Sequence, residues 1–264
     1  MWREWRPVFR WATLCPVYFA DPAANRIYKS DAAGKATVFK DHSNGAKALA
    51  IGPGGRLYAF QGAGKRIVSY GTGGDEKVAA SNVEASGLAV NAKGAIYYAD
   101  AVQRTIGYVD PHGQARIVYS GGEIAAPSAV ALSPDQAMLV VTDAQSRFSW
   151  SFQIAADGSL INGEPFYRLE MPEAGWMSGA RGATLDSIGQ VYFATAVGLQ
   201  VCEANGRVAQ ILNPPEHGVI ESLAFGGKDL NWLYVTEGGK LFRRPVKVNG
   251  VPVDVPSVLP KPPL

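Results

Sequence analysis

Residues Ala85–Asp100 read ASGLAVNAKGAIYYAD. Two short apolar strands, one small-residue-rich and one aromatic, flank a turn that ends in glycine. That is a β-hairpin by composition and by length. The same unit recurs along the chain. It reads AKALAIGPGGRLYAF at Ala46–Phe60, PSAVALSPDQAMLVVTD at Pro127–Asp143, RGATLDSIGQVYFAT at Arg181–Thr195 and ESLAFGGKDLNWLYVT at Glu221–Thr236. A sixth copy of the second strand is VYFAD at Val17–Asp21. Taking the second residue of each such strand gives markers at 18, 58, 97, 140, 192 and 234, with steps of 40, 39, 43, 52 and 42. A period near 40 built of short strands is the mark of a β-propeller.

A third strand follows each hairpin, as in RIYKSD, RIVSYG, TIGYVD and FSWSFQI, and often a fourth, as in ATVF, ARIVY and RVAQIL. Four strands taken six times predict an all-β fold, a six-bladed β-propeller with four-stranded antiparallel blades. It should span residues 1–250 as one domain. Counting back from the first marker puts Pro7 at the opening of the first blade's inner strand. The long step of 52 residues predicts an insertion on one rim around Asn162–Trp176. The end of the chain, residues 251–264, holds five prolines and reads as an extended tail; a polyproline ligand for a partner domain is the alternative.

The 264 residues carry 25 Lys+Arg against 23 Asp+Glu, so no concentrated basic surface for nucleic acid is expected. No apolar stretch is long enough for a membrane helix. Met1–Leu14 lacks the apolar segment of a signal peptide, so the chain as given reads as cytoplasmic, with an exported form open if a segment precedes it. Cys15 and Cys202 show neither a disulfide framework nor zinc spacing. Oligomeric state is left open.

Several candidates have plain structural readings. His42, His112 and His217 follow no ligand spacing, and the last two sit in turns. Asp21, Asp100 and Asp143 recur at strand ends, which points to turn-holding rather than catalysis in any one blade. Asp186 should cap the turn after its strand. Phe148, Trp150 and Phe152 alternate with serines at strand period and read as core. Gly62-Ala63-Gly64-Lys65 lacks the rest of a phosphate loop.

ADPAANRIYKSD (Ala20–Asp31), SFQIAADGSLING (Ser151–Gly163), VYFATAVGLQVCEANGRV (Val191–Val208) and SLAFGGKDLNWLYVTEGGKLFRRPVKVNG (Ser222–Gly250) together resemble the gluconolactonase/regucalcin family, also called senescence marker protein or luciferin-regenerating-enzyme-like. The likeness spans roughly residues 17–250. It implies a six-bladed propeller that hydrolyses sugar-type lactones at a divalent metal, calcium or zinc, in the channel mouth. It also implies four ligands, a glutamate, two asparagines and an aspartate, each opening the inner strand of a blade. Here the glutamate's place is Trp5-Arg6-Pro7, with Glu4 one residue early. The asparagines' places are Ser86-Gly87 and Pro127-Ser128-Ala129. The aspartate's place is Arg181-Gly182.

None of the four ligands is kept. A guanidinium about 4 Å from a divalent cation repels it by about 2 kcal/mol even in water. No metal or other cofactor is therefore expected. The residues opening the inner strands, Lys47, Ser86, Ser128, Arg181 and Ser222, should ring the axis at one end. Gln61 and Glu4 are further candidates for the channel. Two functions follow. One is a lactone hydrolase with altered metal dependence, its catalytic residues unassigned. The other is a non-catalytic propeller that binds a small anion, such as a carboxylate, or a protein at a cationic mouth formed by Lys47 and Arg181.

Overall fold

The computed structural model describes residues 6–7, 17–31 and 35–253. Six antiparallel sheets follow one another in chain order. Blade 1 has three described strands, Val17–Asp21, Arg26–Ser30 and Ala36–Asp41. Blade 2 has Ala46–Ile51, Leu57–Gln61, Arg66–Tyr70 and Glu76–Ser81. Blade 3 has Gly87–Val90, Ile96–Asp100, Thr105–Val109 and Ala115–Tyr119. Blade 4 has Pro127–Leu132, Met138–Asp143, Phe148–Ile154 and Leu160–Arg168. Blade 5 has Gly182–Leu185, Val191–Thr195, Gly198–Cys202 and Val208–Leu212. Blade 6 has Ile220–Gly226, Trp232–Glu237 and Lys240–Pro245. The six-bladed propeller expected from the repeat is the observed fold.

The fourth strand of blade 6 is Arg6–Pro7, which pairs with Lys240–Pro245 through Arg6 opposite Arg243 and Pro7 opposite Phe242. This corrects the placement of Pro7 in blade 1. A residue without an N–H is best tolerated on an edge strand, and the outermost strand of a blade is one. Among the described residues, Val17–Asp21 is therefore the innermost strand of blade 1.

The core lies between blades rather than in one central mass. Phe60, Ile67, Leu88, Ile96 and Tyr98 pack blade 2 on blade 3. Tyr97, Ile106, Leu139, Trp150 and Phe152 pack blade 3 on blade 4. Tyr167, Leu185 and Phe193 pack blade 4 on blade 5, and Leu199, Ile220 and Phe242 pack blade 5 on blade 6. Both faces of a blade are buried, so the second strands read as unbroken apolar runs such as IYYAD and VYFAT. The reading as core holds for Trp150 and Phe152, whose rings stack at 6.0 Å; Phe148 is half-buried, and Ser149 and Ser151 between them are buried as well.

The turns follow the sequence closely. Asn91 Oδ1 accepts from the N–H groups of Lys93 and Ala95, and Asp186 Oδ1 accepts from those of Ile188 and Gln190. The long step is distributed differently from the expectation. Asn162–Arg168 belongs to a nine-residue outer strand, and the irregular linker is residues 169–181. No described helix is long and apolar enough to cross a membrane.

Candidate functional site

Inner strands start at one end of the channel, and second strands finish there. Antiparallel pairing brings Lys47 opposite Phe60 and Ser222 opposite Thr236, so the residues opening each inner strand share a rim with the ends of the second strands. A cavity of about 560 Å³ opens at this end, with Lys47, Ser86, Arg181 and Ser222 on its wall. Its size suits a small molecule. Below it a second cavity of about 300 Å³ continues down the channel, with Val17, Tyr18, Leu49, Leu223 and Ala224 common to both.

The mouth residues do different work from blade to blade. Lys47 Nζ lies 3.4 Å from Glu84 Oε1, a carboxylate just before the inner strand of blade 3, and 5.3 Å from the centre of the Phe60 ring. Ser86 Oγ sits 3.0 Å from the carbonyl oxygens of both Ala99 and Pro127, the second of which opens blade 4. Ser128 Oγ donates to the carbonyl of Ala180 at 2.6 Å, which reaches the threshold of blade 5. It is also 2.8 Å from Thr142 Oγ1. Each of these side chains ties its blade to the next one. Gly87 lets blades 3 and 4 approach, since a Cβ there would lie 2.6 Å from Ala129 Cα.

The succession of ties stops at blade 5. Arg181 is exposed, and its guanidinium has no ion-pair partner among the described residues. Its backbone N–H is held by Ala194 O at 2.9 Å, so the base of the side chain is fixed. In blade 6, Ser222 Oγ and Thr236 Oγ1 pair within their own blade at 2.9 Å. Lys240, also on the wall, is 2.8 Å from Glu216 Oε2.

Four of the seven candidates, Lys47, Ser86, Arg181 and Ser222, line this cavity; Ser128 does not, its hydroxyl being taken up by Ala180 O and Thr142 Oγ1. Gln61 is not brought to them. It is fully buried, donating to Tyr70 Oη at 2.8 Å and accepting from Arg66 Nε at 2.7 Å. It pairs with Ala46, one residue before Lys47, so strand alternation puts it on the other face of blade 2 from Lys47 and Phe60, beside Tyr70. Glu4 lies outside the described residues.

Four wall residues were missed from the sequence: Asp21, Glu221, Thr236 and Lys240. Asp21 and Thr236 come from second strands and Lys240 opens the third strand of blade 6, not from the inner strands on which the repeat focused attention. The recurring Thr-acid ends of LVVTD and LYVTE are the one signal that pointed to Thr236.

The strand-end acids are structural, as expected. Buried Asp143 accepts from the N–H groups of Ala125, Ala126 and Gln145 at 2.8, 2.9 and 3.0 Å. Asp100 accepts from those of Val102 and Gln103, and Asp21, though on the cavity wall, accepts from that of Ala24 at 2.8 Å. Glu237, an acid not singled out from the sequence, accepts from those of Glu216 and Gly218. His42, His112 and His217 are exposed. Burial pushes the Cys202 thiol up to about 12, so it is a packed side chain rather than a reactive one. Burial also raises the Tyr192 hydroxyl, with neighbouring Asp186 adding to the shift.

The profile of the SMP-30/gluconolactonase/LRE-like region matches residues 11–239. The chain belongs to this family. No curated protein sequence matches it. Among solved structures it is similar to a gluconolactonase from Xanthomonas campestris, at 18% identity over 87% of this chain and 82% of that one, with a TM-score of 0.75. It is similar to the calcium-binding protein regucalcin from Agrobacterium tumefaciens strain C58, at 16% identity over 94% and 95% of the two chains, with a TM-score of 0.70. A streptogramin B lyase aligns at 16% identity over 88% and 76%, with a TM-score of 0.64. These likenesses are of fold, and the fold carries unrelated chemistries.

The family resemblance implies a divalent cation at the mouth, and the described residues at its ligand positions do not fit one. A hard cation asks for carboxylate, amide or carbonyl oxygens. Ser86 and Ser128 offer neutral hydroxyls already engaged with backbone carbonyls, and Arg181 offers a positive charge.

Proposed function

We propose that this member of the gluconolactonase-like family recognises a small lactone, or the carboxylate formed when its ring opens, at the channel mouth. In this reading Arg181 provides the positive charge. The observation that supports it is the contrast among the three cations of the wall. Lys47 and Lys240 face Glu84 and Glu216, whereas Arg181 has no ion-pair partner among the described residues. A guanidinium presents parallel N–H groups that suit a carboxylate. Glu221 on the same wall disfavours ligands with more than one negative charge.

Binding rather than turnover is the chemistry these side chains favour. A hydroxyl nucleophile needs a base to take its proton. The Ser86 and Ser128 hydroxyls instead face carbonyls, and among the described residues neither wall carboxylate, Asp21 or Glu221, is hydrogen-bonded to a serine hydroxyl. The second reading is a lactone hydrolase, favoured by the family match over residues 11–239.

Calorimetry with gluconate and its lactone, on the wild type and on Arg181→Ala, tests the proposal. Expected are measurable heats in the wild type, weakened more than tenfold in the variant, and no hydrolysis that a chelator abolishes. Chelator-sensitive lactone hydrolysis decides for the second reading. Equal affinities in the two proteins defeat the role given to Arg181.

A further inference from the structure

After blade 6 the chain runs along the far end of the channel. Val246 and Val248 pack on the core between blades 5 and 6. The Asn249 carbonyl then accepts from the Ser187 N–H at 2.7 Å, and its side-chain amide donates to Asp229 O at 2.6 Å. Gly250 forms an antiparallel bridge with Asp186, and its N–H donates to Leu230 O at 2.8 Å. Gly250 lies so close to Phe225 that a Cβ would collide with that ring. Val251, Pro252 and Val253 follow, and all three form part of the wall of the lower cavity.

We infer that Asn249–Val253 is a strap laid over the basal end of the channel, which narrows that end so that molecules enter more readily at the Arg181 end. Two basal hairpins anchor it. Asp186–Gly189 of blade 5 and Gly227–Leu230 of blade 6 each contribute backbone bonds. The two cavities share walls, so a molecule that passes down from the mouth meets the strap at the far end. The strap also sets how deep a ligand can reach. The inference concerns the channel itself and stands apart from what the mouth binds.

Thiol labelling tests it in the full chain carrying Cys15→Ser, with buried Cys202 left in place. One protein adds Ser222→Cys at the mouth, the other Leu132→Cys on the wall of the lower cavity. With a bulky polyethylene-glycol maleimide, the mouth position should label at least tenfold faster than the basal one. Ending the chain after Val248 should raise the basal rate at least tenfold and leave the mouth rate unchanged. Similar rates at the two positions in the full chain overturn the strap, and that comparison holds even if the shortened chain does not fold. A basal rate unmoved in a folded shortened chain overturns it as well.

Discussion

The half of the mouth built by blades 2 to 4 and the half built by blades 5 and 6 use one strand position in two ways. In the first half the opening residue reaches forward: Lys47 to Glu84, Ser86 to Pro127, Ser128 to Ala180. In the second half it does not. Arg181 projects into the cavity, and Ser222 pairs inside its own blade. A repeat supplies the same geometry at every blade, and residue choice then assigns each copy either to holding the ring together or to facing a ligand. Losses in the first half should therefore appear as stability, and losses in the second as binding.

Asp143→Ala should have the largest effect on stability. It leaves the N–H groups of Ala125, Ala126 and Gln145 without their acceptor. A loss of about 3 kcal/mol is expected, read from the urea midpoint. A loss under 1 kcal/mol would mean that water replaces the carboxylate and the frame is softer than described. Gly87→Ala comes next, at about 2 kcal/mol, because the methyl group forces blades 3 and 4 apart. If thermal melting is unchanged, the close approach of those blades is not required. Ser128→Ala removes the tie to Ala180 and should cost about 1 kcal/mol while leaving carboxylate affinity intact. Weakened binding in that variant would erase the distinction between the halves. Arg181→Ala should change stability least, within about 0.5 kcal/mol, although it is the change expected to weaken binding more than tenfold. A clear drop in its melting temperature would place Arg181 with the frame.

The period of the second strands was enough to read the fold, because burial on both faces forces IYYAD, LVVTD and VYFAT to look alike. The positions of Lys47, Ser86, Arg181 and Ser222 followed by counting back across each hairpin. What the count could not supply was direction and company. Gln61 stands one pairing step from the rim and turns into the core beside Tyr70. Glu84, which holds Lys47, lies in a linker that belongs to no repeat. Pro7 had the right distance from its marker and the wrong blade, because an edge strand suits it better than an inner one. Arg181 stood out in the sequence as a cation where the family resemblance implied a carboxylate, and it is the same residue that the structure leaves without an ion pair among those described.

The pairing of Arg6–Pro7 with the last blade has a consequence for how the ring assembles. Strands within blades 2 to 5 join neighbours a few residues away, so each can zip from its own turns. The clasp joins segments separated by nearly the whole chain, and the entropy of closing so long a loop must be met before the contact gives anything back. It should form late in folding and open early in unfolding. Pulsed hydrogen exchange would show this as protection that lags behind Tyr97 and Val140 at whichever of the Phe242 and Arg243 amides faces Arg6–Pro7. Protection arriving at that amide together with Tyr97 and Val140 would instead describe a ring that closes in one step. On the first account, the weakest seam of the propeller is where its two ends meet.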